Sequence, residues 1–210
     1  MIDYVTLLLV NMVSALAVLA SFLWWGLGRE NQPHWAPAFG ICGLVATVAG
    51  FAMTFTWPIP KPFCIAYGEP SVLLGVLFLG AAWALARGWS LLPLAIPAFF
   101  FGVAALVIGI RFFHLSLTPM PLLAGVGFIL TGLAGMAAGL VLWQRQSKAW
   151  RLAGGLVVLA AAALWAFAAY TAYWAHMKVT PIPGTAASWV QPLLHARPQT
   201  QRSGPGAMRA

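Results

Sequence analysis

Charged residues are scarce in this chain of 210 residues, of which only 7% are Asp, Glu, Lys or Arg. An ordinary soluble domain has about 25% charged residues, because polar side chains must cover its surface. With 62% apolar residues, this chain cannot provide that cover, whereas lipid does not require it. The composition therefore excludes a water-soluble globule and predicts a protein that resides in a bilayer.

Acidic residues are the scarcest of all, with 3 Asp and Glu against 11 Lys and Arg. So few carboxylates leave little for general acid–base chemistry, which commonly pairs them. The resulting net charge of +8 could indicate nucleic acid as a partner. However, no stretch interleaves several basic residues with aromatic ones, and basic residues are retained in the cytoplasmic loops of membrane proteins. We therefore expect no nucleic-acid partner.

Sequence motifs of catalysis are also missing, since the chain has no glycine-rich phosphate loop, nucleophile elbow or zinc-binding helix. Its two cysteines are Cys42, in the second apolar run, and Cys64, expected in the loop that follows. The helical residues between them separate the two by about 20 Å, which excludes a disulfide. The sequence predicts no enzyme and identifies no cofactor.

What the chain does have is six apolar runs of bilayer length. They predict an all-α polytopic membrane protein, a bundle of six transmembrane helices. The first run follows no basic segment and is too long for a signal peptide, so we expect it to be retained. The runs are Tyr4–Leu27, Pro37–Thr56, Pro70–Ala86, Leu91–Phe113, Pro121–Trp143 and Trp150–His176.

The connections between the runs predict the orientation. The first, third and fifth connections carry five basic residues near the helix ends, and the opposite side carries three. The positive-inside rule then favours both termini outside and a cell inner membrane location, although arginines in the carboxyl-terminal tail oppose it if they are counted. The two sets are Arg29, Arg87, Arg145, Lys148 and Arg151 on one side, and Lys61, Arg111 and Lys178 on the other.

A proline motif recurs after the second, fourth and sixth runs. It reads Trp57-Pro58-Ile59-Pro60, Thr118-Pro119-Met120-Pro121 and Thr180-Pro181-Ile182-Pro183. This spacing favours a helical hairpin used three times. The alternative is that proline past a helix end, and Trp with Arg at the interface, simply suit those depths in any membrane bundle.

Aligning the three motifs places Met53, His114 and His176 five residues before the first proline of each. Thioether and imidazole groups are suitable ligands for copper or haem iron, so these residues are the candidate metal site. Their positions have a second explanation, because a histidine at the carboxyl end of a helix is also favoured by the helix dipole.

The same end of the bundle is expected to hold Asp3, Glu69 and Arg111. Arg111 lies about one turn inside the fourth run, where an ionised guanidinium is costly unless it snorkels or finds an anion. We therefore predict a structural ion pair of Arg111 with Glu69 or Asp3. For the two acidic residues the alternative is a role at helix starts, with Pro70 as the first helical residue after Glu69 and Asp3 as a cap.

Glycines at helical spacing indicate where helices pack closely. They mark one face of the second run and one of the fifth, although these faces could instead contact another protein. The residues are Gly40, Gly43 and Gly50, and Gly132, Gly135 and Gly139.

The composition changes after the third proline motif. We expect a six-span domain over residues 1–183 and an interfacial or disordered tail over residues 184–210, which is rich in Pro, Gln, Arg, Ser and Gly towards its end.

Three motifs resemble a prokaryotic family of multi-span inner-membrane proteins that is classed as a domain of unknown function. They are Ile2-Asp3-Tyr4 with Asn11-Met12 downstream, Phe55-Thr56-Trp57-Pro58-Ile59-Pro60, and Tyr67-Gly68-Glu69-Pro70-Ser71-Val72-Leu73-Leu74-Gly75. The resemblance covers the six runs and excludes the tail. It implies a small polytopic membrane protein and carries no activity.

These features together predict an accessory or structural subunit of a larger membrane assembly, with lipids and other membrane-protein subunits as partners. The alternatives are a metal- or haem-binding redox module and a small-molecule channel or transporter.

Overall fold

The computed structural model describes residues 3–116, 118 and 120–177. The predicted tail, residues 184–210, and the third proline motif, residues 180–183, lie outside the described residues. The chain divides into two compact units, Met1–Trp174 and Ala175–Ala210, and only residues 175–177 of the second are described.

Six long helices make up the described chain, and each is long and apolar enough to cross a membrane. This confirms the all-α class and the six helices predicted for a multi-pass membrane protein. The helices are α1 (Tyr4–Gly26), α2 (Gln32–Thr56), α3 (Lys61–Ala86), α4 (Leu92–Leu115), α5 (Pro121–Trp143) and α6 (Lys148–His176).

Helix α3 begins nine residues before the predicted start of the span at Pro70, although its regular α-helical part starts at Glu69 with Pro70 in the first turn. A wide π-helical turn, Cys64–Gly68, lies directly before Glu69 and Pro70. Proline inside an α-helix lacks an N–H and clashes with the carbonyl four residues earlier, and a π turn is one local adjustment that accommodates it. The sequence Gly68-Glu69-Pro70 therefore marks a change of helical winding rather than the start of the span.

Two helix pairs approach each other through glycine. On the α2–α3 interface, a Cβ added at Gly43 would lie 2.8 Å from the backbone nitrogen of Leu79. On the α4–α5 interface, a Cβ at Gly132 would lie 2.6 Å from the carbonyl oxygen of Gly102. Only glycine permits such close backbone approach, which maximises van der Waals contact in lipid.

The remaining contacts are made by larger side chains. The buried amide of Asn11, on α1, donates a hydrogen bond to the carbonyl oxygen of Cys42, on α2, at 3.0 Å. The indole of Trp165, on α6, donates to the hydroxyl of Thr131, on α5, at 3.1 Å. Side-chain contacts thus join α1 to α2 and α5 to α6, while the closest backbone approaches join α2 to α3 and α4 to α5. The arrangement as three hairpins stays a prediction.

Candidate functional site

Asp3 caps the first helix, as one of its two interpretations predicted. Its carboxylate accepts a hydrogen bond from the backbone N–H of Thr6 at 3.1 Å, and the Thr6 hydroxyl donates to the same carboxylate. This satisfies donors that the first turn of a helix leaves unpaired.

Glu69 and Arg111 are both exposed side chains. Glu69 follows the π turn of α3, and Arg111 lies about one turn before the end of α4. The pairing of Arg111 with Glu69 or Asp3 stays a prediction.

The candidate metal ligands lie in different surroundings. Met53 is fully buried, next to Gly68 of the π turn, whereas His114 is exposed near the end of α4. His176 ends α6, beyond the boundary of the first unit, and is exposed there. Within the described ranges, no three His, Cys, Asp or Glu residues are grouped as a metal ion would require.

Helices α2 and α4 end in the same backbone conformation, and aligning the two helices by these ends pairs different residues from an alignment by the proline motif. Each helix stops at a residue with left-handed backbone, Trp57 (φ 47) and Ser116 (φ 46). The N–H of that residue donates to the carbonyl four residues earlier, which belongs to Met53 in α2 and to Phe112 in α4. Met53 and Phe112 are both 0% exposed, so Phe112 rather than His114 is the structural counterpart of Met53.

Aromatic rings fill the interior beside the π turn. Phe128 lies 5.8 Å from Tyr67, 5.3 Å from Phe112 and 4.9 Å from Trp165, measured between ring centroids. These four rings come from α3, α4, α5 and α6. The gap that Tyr67, Phe128 and Trp165 leave beside α1 is only about 10 Å³, which is room for no more than one water molecule.

Cys64 lies inside the π turn rather than in a loop. It is 1% exposed, and its thiol contacts the carbonyl oxygen of Ile59 at 3.1 Å. Both Cys64 and Cys42 are free thiols.

A cleft of about 650 Å³ opens at the opposite end of the bundle, where the first, third and fifth connections meet. We call it the basic cleft. Arg29 and Arg145 line it together with Glu30, and Trp89 and Trp143 flank these charges. This volume falls within the range of small-molecule sites, about 300–1,000 Å³.

Gly28 permits a close approach of the first connection to the fifth connection beside the basic cleft. Its backbone is left-handed (φ 89), and a Cβ added there would lie 3.2 Å from the carbonyl oxygen of Arg145 and 3.2 Å from a guanidinium nitrogen of Arg151. The Arg151 guanidinium donates a hydrogen bond to the carbonyl oxygen of Leu27, which lines the cleft. A third positive charge therefore lies directly behind the rim.

The side chains of the basic cleft suit binding better than bond-breaking. Guanidinium, indole, amide and hydroxyl groups, from residues such as Gln32 and Ser90, can hold an anion and its neighbouring hydroxyls. The one carboxylate, Glu30, has no histidine, cysteine or second carboxylate beside it on the described lining.

Sequence reasoning placed the candidate site at the other end and missed the basic cleft. The signal was present, because the first, third and fifth connections must lie on one side and each brings Trp or Arg residues there. On their own, the arginines of these connections predict only the orientation of the chain.

The comparisons with known proteins agree with the resemblance of the three motifs. No curated protein and no solved structure matches the chain significantly. One family, described as "Protein of unknown function (DUF981)", matches residues 1–179, which include all six helices and exclude the tail. The chain belongs to this DUF981 family.

Proposed function

We propose that the protein is a non-catalytic accessory or structural subunit of a larger membrane assembly. The observation that carries this proposal is the cluster of packed aromatic rings from four helices, three of which, Tyr67, Phe128 and Trp165, leave a gap of only about 10 Å³ beside α1. At this cluster the rings leave room for no more than one water molecule, so it offers no space for a substrate or a chromophore. We therefore look for the function on the surfaces of the bundle.

The surface of α4 supports a role in contacting other subunits. Only 22% of its apolar window is buried by the rest of the chain, against 44% for α1. The adjacent rings of Phe99 and Phe100 are exposed on it, with Phe100 exposed to 65%. Large aromatic side chains of this kind are suited to packing against another transmembrane helix as well as against lipid.

The test is site-specific photocrosslinking in the native membrane, followed by purification of the full chain in mild detergent. A benzophenone amino acid replaces Phe100 on α4, and in a matched control it replaces Phe55, which is 74% exposed on α2. We expect one membrane-protein partner, in stoichiometric amount, to crosslink at position 100 and not at position 55. Purification of a colourless chain that crosslinks to no protein, or one that moves solutes across vesicles, would contradict the proposal.

We also propose that the basic cleft faces the cytoplasm of a cell with an inner membrane, with both termini outside. Support comes from the five basic residues near the helix ends on that side against three on the other.

A further inference from the structure

We infer that the basic cleft binds the phosphate of an anionic phospholipid. This inference goes beyond the role of a subunit and does not depend on it, because the cleft is formed by this chain alone. The inference rests on the arrangement of charge, aromatic rings and apolar surface at this end of the bundle.

The charges select an anion. Arg29 and Arg145 line the cleft, Arg151 lies directly behind Leu27, and Glu30 is the one acidic side chain on the described lining. The balance is positive even with Glu30 ionised. Guanidinium groups bind phosphate through two parallel N–H donors, with geometric specificity that a lysine does not provide.

The Arg151 guanidinium bonds a backbone carbonyl in the wall of the cleft, so the arginines available to a ligand are Arg29 and Arg145. That carbonyl belongs to Leu27, and the Nε of Arg151 is buried. Arg87, at the same end, stacks over the ring of Trp83 with its guanidinium carbon 5.2 Å from the centroid and does not line the cleft. Arg29 and Arg145 are therefore the residues that we assign to phosphate.

The depth and lining of the cleft favour a lipid over a free anion. The cleft lies where helices end, and Trp89 and Trp143 expose 60% and 73% of their surface there, as tryptophans do at the headgroup level of a bilayer. Apolar surface beside the arginines comes from Leu91, Leu92 and Leu142. A phospholipid presents the matching pair of chemistries, a phosphate next to acyl chains.

Three polar side chains of the lining can contact the headgroup of the lipid, namely Glu30, Gln32 and Ser90. Their oxygen atoms can accept hydrogen bonds from headgroup hydroxyls, which phosphatidylglycerol has and phosphatidylcholine lacks. We therefore choose phosphatidylglycerol as the probe.

The experiment measures lipid retention by native mass spectrometry of the full chain, after reconstitution in nanodiscs of phosphatidylcholine doped with phosphatidylglycerol. We expect the wild-type chain to retain phosphatidylglycerol selectively. The double variant Arg29→Gln, Arg145→Gln should lose about 100-fold in relative affinity, because each arginine donates charge-assisted hydrogen bonds to the phosphate, which contribute about a factor of ten per residue.

Arg87→Gln is the matched control for each single variant, Arg29→Gln or Arg145→Gln, since each removes one positive charge from the same end and Arg87 lies outside the cleft. The control should change retention less than twofold. An equal loss with Arg87→Gln would overturn the inference in favour of general surface charge, and an unchanged double variant would overturn it outright.

A second measurement titrates inorganic phosphate against the retained lipid. If inorganic phosphate binds tightly and no lipid is retained selectively, the ligand of the cleft is a soluble phosphate compound, and the inference of a lipid is wrong. Thermal unfolding of each variant in detergent establishes that it is folded.

Discussion

The guanidinium of Arg151, on the last helix, donates a hydrogen bond to the carbonyl oxygen of Leu27, the residue that follows the last turn of the first helix. The carbonyls at a helix end have no partner within the helix and carry the negative end of its dipole. Arg151 satisfies one of them with a positive charge. It therefore joins the first and the last of the six helices at one point.

Replacement of Arg151 should destabilise the protein. A hydrogen bond to a charged group contributes about 1.5–3 kcal/mol, so we expect Arg151→Gln to lower the free energy of unfolding by an amount in this range. Lys148→Gln, on the exposed first turn of the same helix, is the control and should cost less than about 0.5 kcal/mol. Thermal unfolding followed by circular dichroism measures both, and equal effects would mean that the contact with Leu27 contributes nothing.

The glycines of α2 should differ in their tolerance of a methyl group. At Gly43 an added Cβ would lie 2.8 Å from backbone, whereas at Gly40 it would lie 3.7 Å from the Cβ of Ala82, which is ordinary contact. We expect Gly43→Ala to cost about 1–3 kcal/mol through overpacking. Gly40→Ala should be neutral or stabilising, because alanine favours the helix. A reversed order in unfolding measurements would refute the assigned interface.

The contact between Trp24 and Gly155 predicts an energetic coupling. A Cβ added at Gly155 would collide with the Trp24 indole, whose Nε1 lies 3.5 Å from the carbonyl oxygen of Leu152. We expect Gly155→Ala to destabilise the chain by about 1–3 kcal/mol. In a Trp24→Leu background the same substitution should cost less, because the obstructing ring is gone. A double-mutant cycle on unfolding free energies measures this difference, and strict additivity would contradict it.

The hydrogen bond between Trp165 and Thr131 should contribute to stability. Thr131→Val keeps the shape of the side chain but leaves the buried indole N–H without its partner, at a cost of about 0.5–2 kcal/mol. Thr131→Ser retains the hydroxyl and should be less disruptive. A further control is Thr56→Val, where the hydroxyl bonds only its own helix, 2.7 Å from the Ala52 carbonyl oxygen. If Thr131→Val and Thr56→Val unfold at the same temperature, the contact between the helices is unimportant.

Thiol labelling in intact cells tests the proposed orientation. The native thiols are both buried, Cys42 at 6% and Cys64 at 1% exposure, so a membrane-impermeant maleimide should not label the wild-type chain. In a chain with both cysteines replaced by alanine, Lys61→Cys should be labelled from outside, because Lys61 is exposed at the start of α3. Arg87→Cys should be labelled only after the cells are opened. The opposite result would invert the topology.

The six helices could be predicted because their signal is local. A run of about 20 apolar residues indicates a membrane span without any knowledge of its neighbours. The start of α3 could not be predicted in this way, because Gly68-Glu69-Pro70 contains the local signals of a helix start while the structure continues through it with a π turn. Tertiary packing, with Cys64 and Tyr67 buried, stabilises a winding that local propensity disfavours.

The site was less predictable than the fold because it depends on which residues meet in space. Counting from the prolines aligned Met53 with His114, but the left-handed helix endings align it with Phe112. The basic cleft requires three connections that are far apart in sequence. The glycine spacing did identify positions such as Gly43 and Gly132 that lie at close backbone approaches, because small residues at helical intervals are a direct requirement of that packing.

The glycine contacts of α2 with α3 and of α4 with α5 have a consequence for biogenesis. Each pair is consecutive in the chain and joined by a short connection, so its two helices can associate as soon as the second leaves the ribosome. We expect each pair to enter the bilayer as a preassembled unit, with α1 already joined to α2 through Asn11, while the contacts of α1 with the last helix form only at the end. Because Arg151 and Trp165 belong to that last helix, closure of the bundle depends on completing its synthesis. A nascent chain that stops before α6 should therefore stay bound to the insertion machinery or be degraded.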